Sequence, residues 1–194
     1  MGNLKKLFCV PLWSYLLKDI KNEEIVEWSD KERKTNTGRQ LTNYGGWQTD
    51  QLQQHTCFKP LIETITKIHQ EISIECDLEI GDGINFQFWI NVNFPGSYNI
   101  LHDHPHSHLS GCYYVKVPEG DCGDLKLHSD RKRIVEWSAW KGIDPMGKHS
   151  NIEHFINPKE GLIVIFPSNI MHEVGINNTE ANRISIAWNL KYEN

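Results

Sequence analysis

The clearest pattern in this chain is an alternation of apolar and polar residues over 84–94. Ile84, Phe86, Phe88, Ile90, Val92 and Phe94 share one face of an extended strand, and Asn85, Gln87, Trp89, Asn91 and Asn93 share the other. A turn at Pro95-Gly96-Ser97 leads into a short strand from Tyr98 to His104, which Pro105 ends by withholding a ladder donor. Further strands read from LSGCYYVKV, GDLKLHS, NIEHFIN, the continuous apolar run GLIVIFP, MHEVGI and RISIAWNLK. Upstream the period changes to that of a helix, with Phe58, Leu61, Ile62, Ile65, Ile68 and Ile72 on one stripe. Pro60 stands near its start, where a missing N–H costs nothing. Residues 19–57 are polar and turn-rich, NTGRQLTNYGGWQTD reads as a loop, and LFCVPLWSYLL reads as an early strand. About eight strands after one amphipathic helix predict a mainly β protein with flanking helices (α+β), a two-sheet jelly-roll barrel backed by the helix.

Composition narrows this picture. A chain of 194 residues is comfortable as one domain, residues 1–194, with a strand, loop and supporting helix over 1–80 and the barrel over 84–191. The net charge of -5 gives no basic field for polyphosphates, so nucleic acid is not indicated as a partner, and Arg131-Lys132-Arg133 reads as a solvated loop. Five scattered cysteines without a C-x-x-C pair argue against a disulfide framework or a cysteine zinc site. The apolar N-terminal stretch is too short to span a bilayer and is interrupted by Pro11. The start MGNLKK lacks the Ser or Thr that myristoylation requires. No membrane is indicated, and a cytoplasmic location is expected. Self-association is left open.

The chemistry is concentrated in LHDHPHSHLSG, where His102, His104, His106 and His108 recur at every second position. In a strand, an H-x-H pair puts His102 and His104 on one side and turns Asp103 away. His172, at the start of the strand after GLIVIFPSNIM, can lie opposite that pair in a rolled barrel. Three ligands that leave open positions suit a catalytic first-row metal. Pro105 sets His106 and His108 apart in a turn, with His108 a candidate substrate contact near the mouth. On the last strand Arg183, Ser185, Ala187 and Asn189 share a face. An arginine followed by a serine there is what holds a carboxylate by a forked contact, although Arg183 could instead cap a strand end at the surface. Asn91, Asn99 and Asn189 are candidate contacts to co-substrate or substrate.

Taken together, PGSYNILHDHPHSHLSGCYYVKVPE, GLIVIFPSNIMHEV and RISIAWN resemble the Fe(II)/2-oxoglutarate-dependent oxygenases. The likeness is to an uncharacterised branch with N-x-x-H-x-H-P, S-G-x-Y-Y-V, F-P-S-x-x-x-H and R-I-S-x-x-x-N, over roughly residues 84–191. The resemblance implies a double-stranded β-helix, with His102, His104 and His172 as ligands to Fe(II). It also implies that Arg183, with Ser185 beside it, holds the distal carboxylate of 2-oxoglutarate together with Tyr114; Asn91, on the polar face of its strand, is a further candidate cofactor contact. Dioxygen and an unknown substrate would be the other reactants, and the activity a dioxygenase, in the form of a hydroxylase. The wider superfamily carries an acidic residue where His104 stands. A histidine there leaves no vacancy for a halide, which disfavours halogenation, and leaves the ion's charge to be met by the 2-oxoglutarate dianion.

Two alternatives differ in kind. A cupin-type metalloenzyme shares the barrel and the interval from Gly161 to His172, but His108 and Leu109 stand where the cupin glutamate belongs, and a cupin gives no reason for Arg183. A non-catalytic binding or assembly barrel would keep the metal site without turnover. Residues 129–150, with Trp137 and Trp140, interrupt two strands and read as a candidate lid or binding loop.

Overall fold

The computed structural model describes residues 9–50, 52, 55–78, 83–129 and 152–193. The candidate lid, apart from Ser129, lies outside the described residues. The eight strands expected after the helix are β4 (Gly83–Asn93), β5 (Tyr98–His102), β6 (Leu109–Lys116), β7 (Leu125–His128), β8 (Glu153–Ile156), β9 (Leu162–Pro167), β10 (His172–Val174) and β11 (Arg183–Glu193). β1 (Trp13–Leu16) lies in the segment read as an early strand, and α2 (Lys59–Glu75) on the predicted helix.

One sheet runs β1-β9-β6-β11-β4 and the other contains β5-β10-β7-β8, every pairing antiparallel. Consecutive strands largely alternate between the sheets, which is the jelly-roll winding of a double-stranded β-helix. The spine is β11, paired along its whole length with β4, from Arg183 opposite Asn93 to Glu193 opposite Gly83, and on its other side with β6.

Residues 19–57, read as polar and turn-rich with a loop over 36–50, hold more regular structure than expected. They contain α1 (Asn22–Glu32), β2 (Asn43–Tyr44) and β3 (Trp47–Gln48), and β2 and β3 extend the two sheets at one end. In α1 only Ile25 and Ser29 are fully buried, so its helical stripe is thin in a sequence otherwise full of charge. Two-residue strands offer no period at all.

The alternation on β4 and β11 divides the interior. Phe88, Ile90, Val92, Ile184, Ile186, Trp188 and Leu190 form the main core with Ile25 of α1 and Leu61, Ile65, Ile68 and Ile72 of α2, so this core lies between the helices and the outer face of the larger sheet. The opposite, polar faces look between the sheets. Only a small apolar cluster, including Leu125, Leu127, Val164, Phe166 and Ile170, closes that space at one side.

Two details fix the layers. Gly111 lies in register with Trp188, and a Cβ there would stand 2.4 Å from the indole and 2.9 Å from the Val164 carbonyl, so the indole fits only because residue 111 has no side chain. On the indole's other side, Trp188 Nε1 donates to His69 Nε2 of α2 at 2.9 Å. His69 is fully buried, and burial lowers its pKa to about 4, keeping it neutral.

Both details give stability predictions. Gly111→Ala should destabilise the protein by about 2 kcal/mol or more through overpacking against the indole and a backbone carbonyl, read as a lower denaturant midpoint. Because the folded pKa of His69 lies below its unfolded value of 6.5, the unfolded chain takes up the proton first as pH falls. Its contribution is present above pH 6.5 and lost between 6.5 and about 4, a difference of roughly 3 kcal/mol. Urea titrations of wild type and His69→Gln across that range should converge toward the acid end.

Candidate metal and co-substrate site

The space between the sheets is a cavity of about 330 Å³ whose walls are built by the register. On the larger sheet the side chains form rows across neighbouring strands. Asn93 and Arg183 make the first, and Gln48, Asn91, Ser185 and Tyr114 the second. Trp89, Ala187 and Cys112 make the third, and Gln87, Asn189 and Ser110 the fourth. All of them line the cavity. The polar faces read from the sequence on β4 and β11 are therefore inner faces, and Tyr114, whose face the sequence left open, points in with Ser110 and Cys112.

The facing sheet contributes histidines. His172 opens β10 directly opposite His102, the last residue of β5. His104 is not in the strand expected for it, because β5 ends at His102. It lies in the following loop, where its backbone N–H donates to the Ser168 carbonyl at 3.0 Å. The chain still returns the imidazole to the same side, with ring centroids 4.9 Å from His102 and 5.0 Å from His172, and 4.2 Å between His102 and His172. One ligand atom from each ring lies within 4.8 Å of the others. Among the described residues no carboxylate or thiol joins this group. Asp103 is exposed, although it reaches the cavity rim.

Two of the rings are oriented by their own backbone. His102 Nδ1–H donates to Ile100 O at 2.7 Å and His172 Nδ1–H donates to Ile170 O at 2.8 Å, which leaves Nε2 with its lone pair directed away from the main chain. Burial lowers the pKa of all three, to about 4 for His104 and about 3 for His172, so each is a neutral donor at ordinary pH. Neutral, converging imidazoles with a fixed tautomer are the donor set that suits a divalent first-row ion.

Arg183 is the second unusual feature. It is 2 % exposed, and its Nη1 donates to the carbonyls of Cys122 at 2.7 Å and Gly123 at 2.5 Å. Among the described residues no carboxylate stands within ion-pair distance of it, and its remaining N–H groups have no partner. A buried guanidinium anchored on one edge and open on the other is a receptor for a planar anion. It is not a surface cap. Tyr114, almost fully buried in the adjacent row, has its phenol pKa raised well above the ordinary value by burial and so stays a hydroxyl donor. Asn91 is also inside, and its Oδ1 has no partner. An amide of this kind can turn to present its N–H₂ to an anion instead.

Sequence reading missed part of the wall. Gln48 and Thr49 come from the segment taken as a loop, and Thr49 is tied to β4 by its backbone N–H to Ile90 O and by Oγ1 accepting from Ile90 N–H, both at 3.0 Å. Trp89 is the one aromatic on the amide-rich face of β4 and sits edge-on to His104 at 5.8 Å, a placement its isolation in the alternation could have signalled. His108 does not line the cavity. Its Nδ1 accepts from Tyr192 N–H at 3.0 Å and its ring lies beside Tyr192.

This geometry agrees with what known proteins show. Residues 87–189 match the family model described as "Putative 2OG-Fe(II) oxygenase". The matched span is more than half of the chain, and the chain belongs to that family of non-haem iron oxygenases dependent on 2-oxoglutarate. Fe(II) is thus its cofactor and 2-oxoglutarate its co-substrate. Among solved structures, a Pseudomonas putida prolyl-4-hydroxylase is similar at a TM-score of 0.70 and 14% identity, over 95% of this chain and 94% of that one. A viral collagen prolyl hydroxylase from Paramecium Bursaria Chlorella virus-1, in complex with 2-oxoglutarate, gives 0.59 and 14% over 94% and 96%. HygX from Streptomyces hygroscopicus, with nickel and 2-oxoglutarate bound, gives 0.62 and 9% over 93% and 82%. These likenesses establish the double-stranded β-helix. No curated protein matches the sequence. Among the described residues no helix is long and apolar enough to cross a membrane.

Proposed function

We propose that the cavity is the active site of a hydroxylase in which His102, His104 and His172 hold Fe(II). Arg183, helped by Ser185, Tyr114 and Asn91, holds the distal carboxylate of 2-oxoglutarate. The observation that carries this reading is the pairing, in one cavity, of three converging neutral imidazoles, His172 buried and His102 and His104 half-buried, with a buried guanidinium that has no carboxylate within ion-pair distance among the described residues. When bound, the metal supplies the chemistry in which dioxygen oxidises 2-oxoglutarate to succinate and carbon dioxide and delivers one oxygen atom to a substrate C–H bond.

The protein's own part is position, charge and dryness. Arg183 offers a fork whose far edge is already fixed by two carbonyls, so little freedom remains to be lost when a carboxylate arrives. Ser185 and Tyr114 sit in the next row as hydroxyl donors toward the same anion, and the buried Leu125, Phe166 and Val164 exclude bulk water behind it. The three imidazoles bring no negative charge, so the dianion is the group that offsets the ion's charge, and metal and co-substrate should bind cooperatively. The scattered free cysteines support a reducing, cytoplasm-like compartment.

Anaerobic addition of Fe(II) and 2-oxoglutarate should give a weak visible charge-transfer band, and admission of oxygen should yield succinate. Failure of both would leave a non-catalytic barrel. Arg183→Lys keeps the charge but loses the fork and should weaken 2-oxoglutarate binding about tenfold or more. The same variant should bind Mn(II) as wild type does. His172→Ala should lose the metal, and with it the band, while retaining a folded far-ultraviolet spectrum.

A further inference from the structure

Beyond the co-substrate, the fourth row of the cavity wall has an organisation that neither the metal nor 2-oxoglutarate explains. Asn189 Oδ1 accepts from the Ser110 hydroxyl at 2.8 Å, and Ser110 Oγ is itself 3.1 Å from Ser168 Oγ. Ser168 is also the residue whose carbonyl accepts the His104 backbone N–H. The amide of Asn189 is thereby fixed with its oxygen engaged, and its N–H₂ has no partner among the described residues. Cross-strand from it stands Gln87, exposed at the cavity edge, and one row inward stands Trp89, edge-on to His104 and opposite the small Ala187. Three row-steps along β11 separate Asn189 from Arg183, about 20 Å of strand. A five-carbon diacid anchored on Arg183 is far shorter than that, so Asn189 serves something else.

Charge decides what that is. Among the described residues the cavity wall carries two cations. Arg183 is committed to the co-substrate carboxylate, and Arg39 at the rim is paired with Asp50 at 2.9 Å. An anionic substrate therefore finds no free counter-charge among the described residues, and Asp103 at the rim would repel it. What this end offers is a fixed amide donor, a second amide with both donor and acceptor, and an indole beside a residue too small to fill the space before it. A substrate amide laid along this row would meet a donor for its carbonyl and an acceptor for its N–H, with the flat indole beneath.

We propose that Asn189, held by Ser110, is a substrate-positioning residue, and that the substrate is a peptide segment whose backbone amide is read by Asn189 and Gln87 beside Trp89. This rests on the placement of metal and co-substrate given above. The inference is tested with protein loaded with Mn(II) and 2-oxoglutarate without oxygen, using paramagnetic relaxation of ligand protons as the readout. The probes are a pool of N-acetylated, C-amidated pentapeptides, the corresponding free amino acids, and nucleoside monophosphates. Blocked peptides should show the strongest enhancement. Asn189→Leu, neutral and similar in size, should cut it at least fivefold, and Ser110→Ala by a smaller factor, with the relaxation of 2-oxoglutarate protons equal in all three proteins. Free amino acids or nucleotides outranking the peptides would overturn the proposal, as would Asn189→Leu leaving the peptide signal intact. A parallel loss of the 2-oxoglutarate signal in the variants would reduce Asn189 to a structural role and overturn it too. If 2-oxoglutarate protons show no enhancement even in wild type, the site placement itself has failed, an outcome distinct from a failure confined to the peptides.

Discussion

Everything in this molecule depends on β11 lying between β4 and β6 in one register. That ladder sets two surfaces at once. Its apolar face carries Ile184, Ile186, Trp188 and Leu190 outward to the helices, and its polar face carries Arg183, Ser185, Ala187 and Asn189 inward. A slip of one residue would exchange the faces, burying a guanidinium under α2 and filling the cavity with isoleucine and tryptophan. Because the main core lies outside the barrel, the barrel can leave its interior polar without losing the burial that holds the fold. Gly111 and His69 belong to the same constraint, one making room for Trp188 and the other meeting its N–H.

The electrostatics of the interior follow from what the strands leave out. Among the described residues no carboxylate joins the three histidines and none stands within ion-pair distance of Arg183, although Asp124 acts on it from further off, so the cavity contains neutral imidazoles and one buried cation. Such an arrangement is costly for the folded protein alone, since a buried guanidinium keeps its charge and must be solvated by carbonyls, here those of Cys122 and Gly123. In the proposed site, metal and dianion together would complete the charge pattern. With the metal held as proposed, an aspartate at position 104 would have neutralised the ion in advance and reduced its hold on the dianion, so a histidine there would shift the work of charge balance from the chain to the co-substrate.

How much of this was legible in the sequence depended on whether a residue's role is set by period or by return of the chain. Ile84 to Phe94 and Arg183 to Leu190 announced their faces because each strand is long and divided between a greasy and a polar environment. The direction of Tyr114 was not legible, since β6 is buried on both faces and only its pairing with β11 turns Ser110, Cys112 and Tyr114 inward. α1 escaped because it buries just two residues among charges, and β3 because two residues carry no period, although β3 brings Gln48 to the cavity. The approach of His104 to His102 was expected for a reason that does not hold. Strand alternation does not reach residue 104; a loop fastened to Ser168 does.

That fastening links the two ends of the site. Ser168 holds the backbone of a metal-facing histidine through its carbonyl and reaches Ser110, and so Asn189, through its hydroxyl. The turn after β9 therefore sets the position of His104 and the orientation of the amide in the same rigid piece. A substrate seated on Asn189 as proposed would be measured against the proposed metal site by a few covalent and hydrogen-bonded steps and not across the width of the cavity.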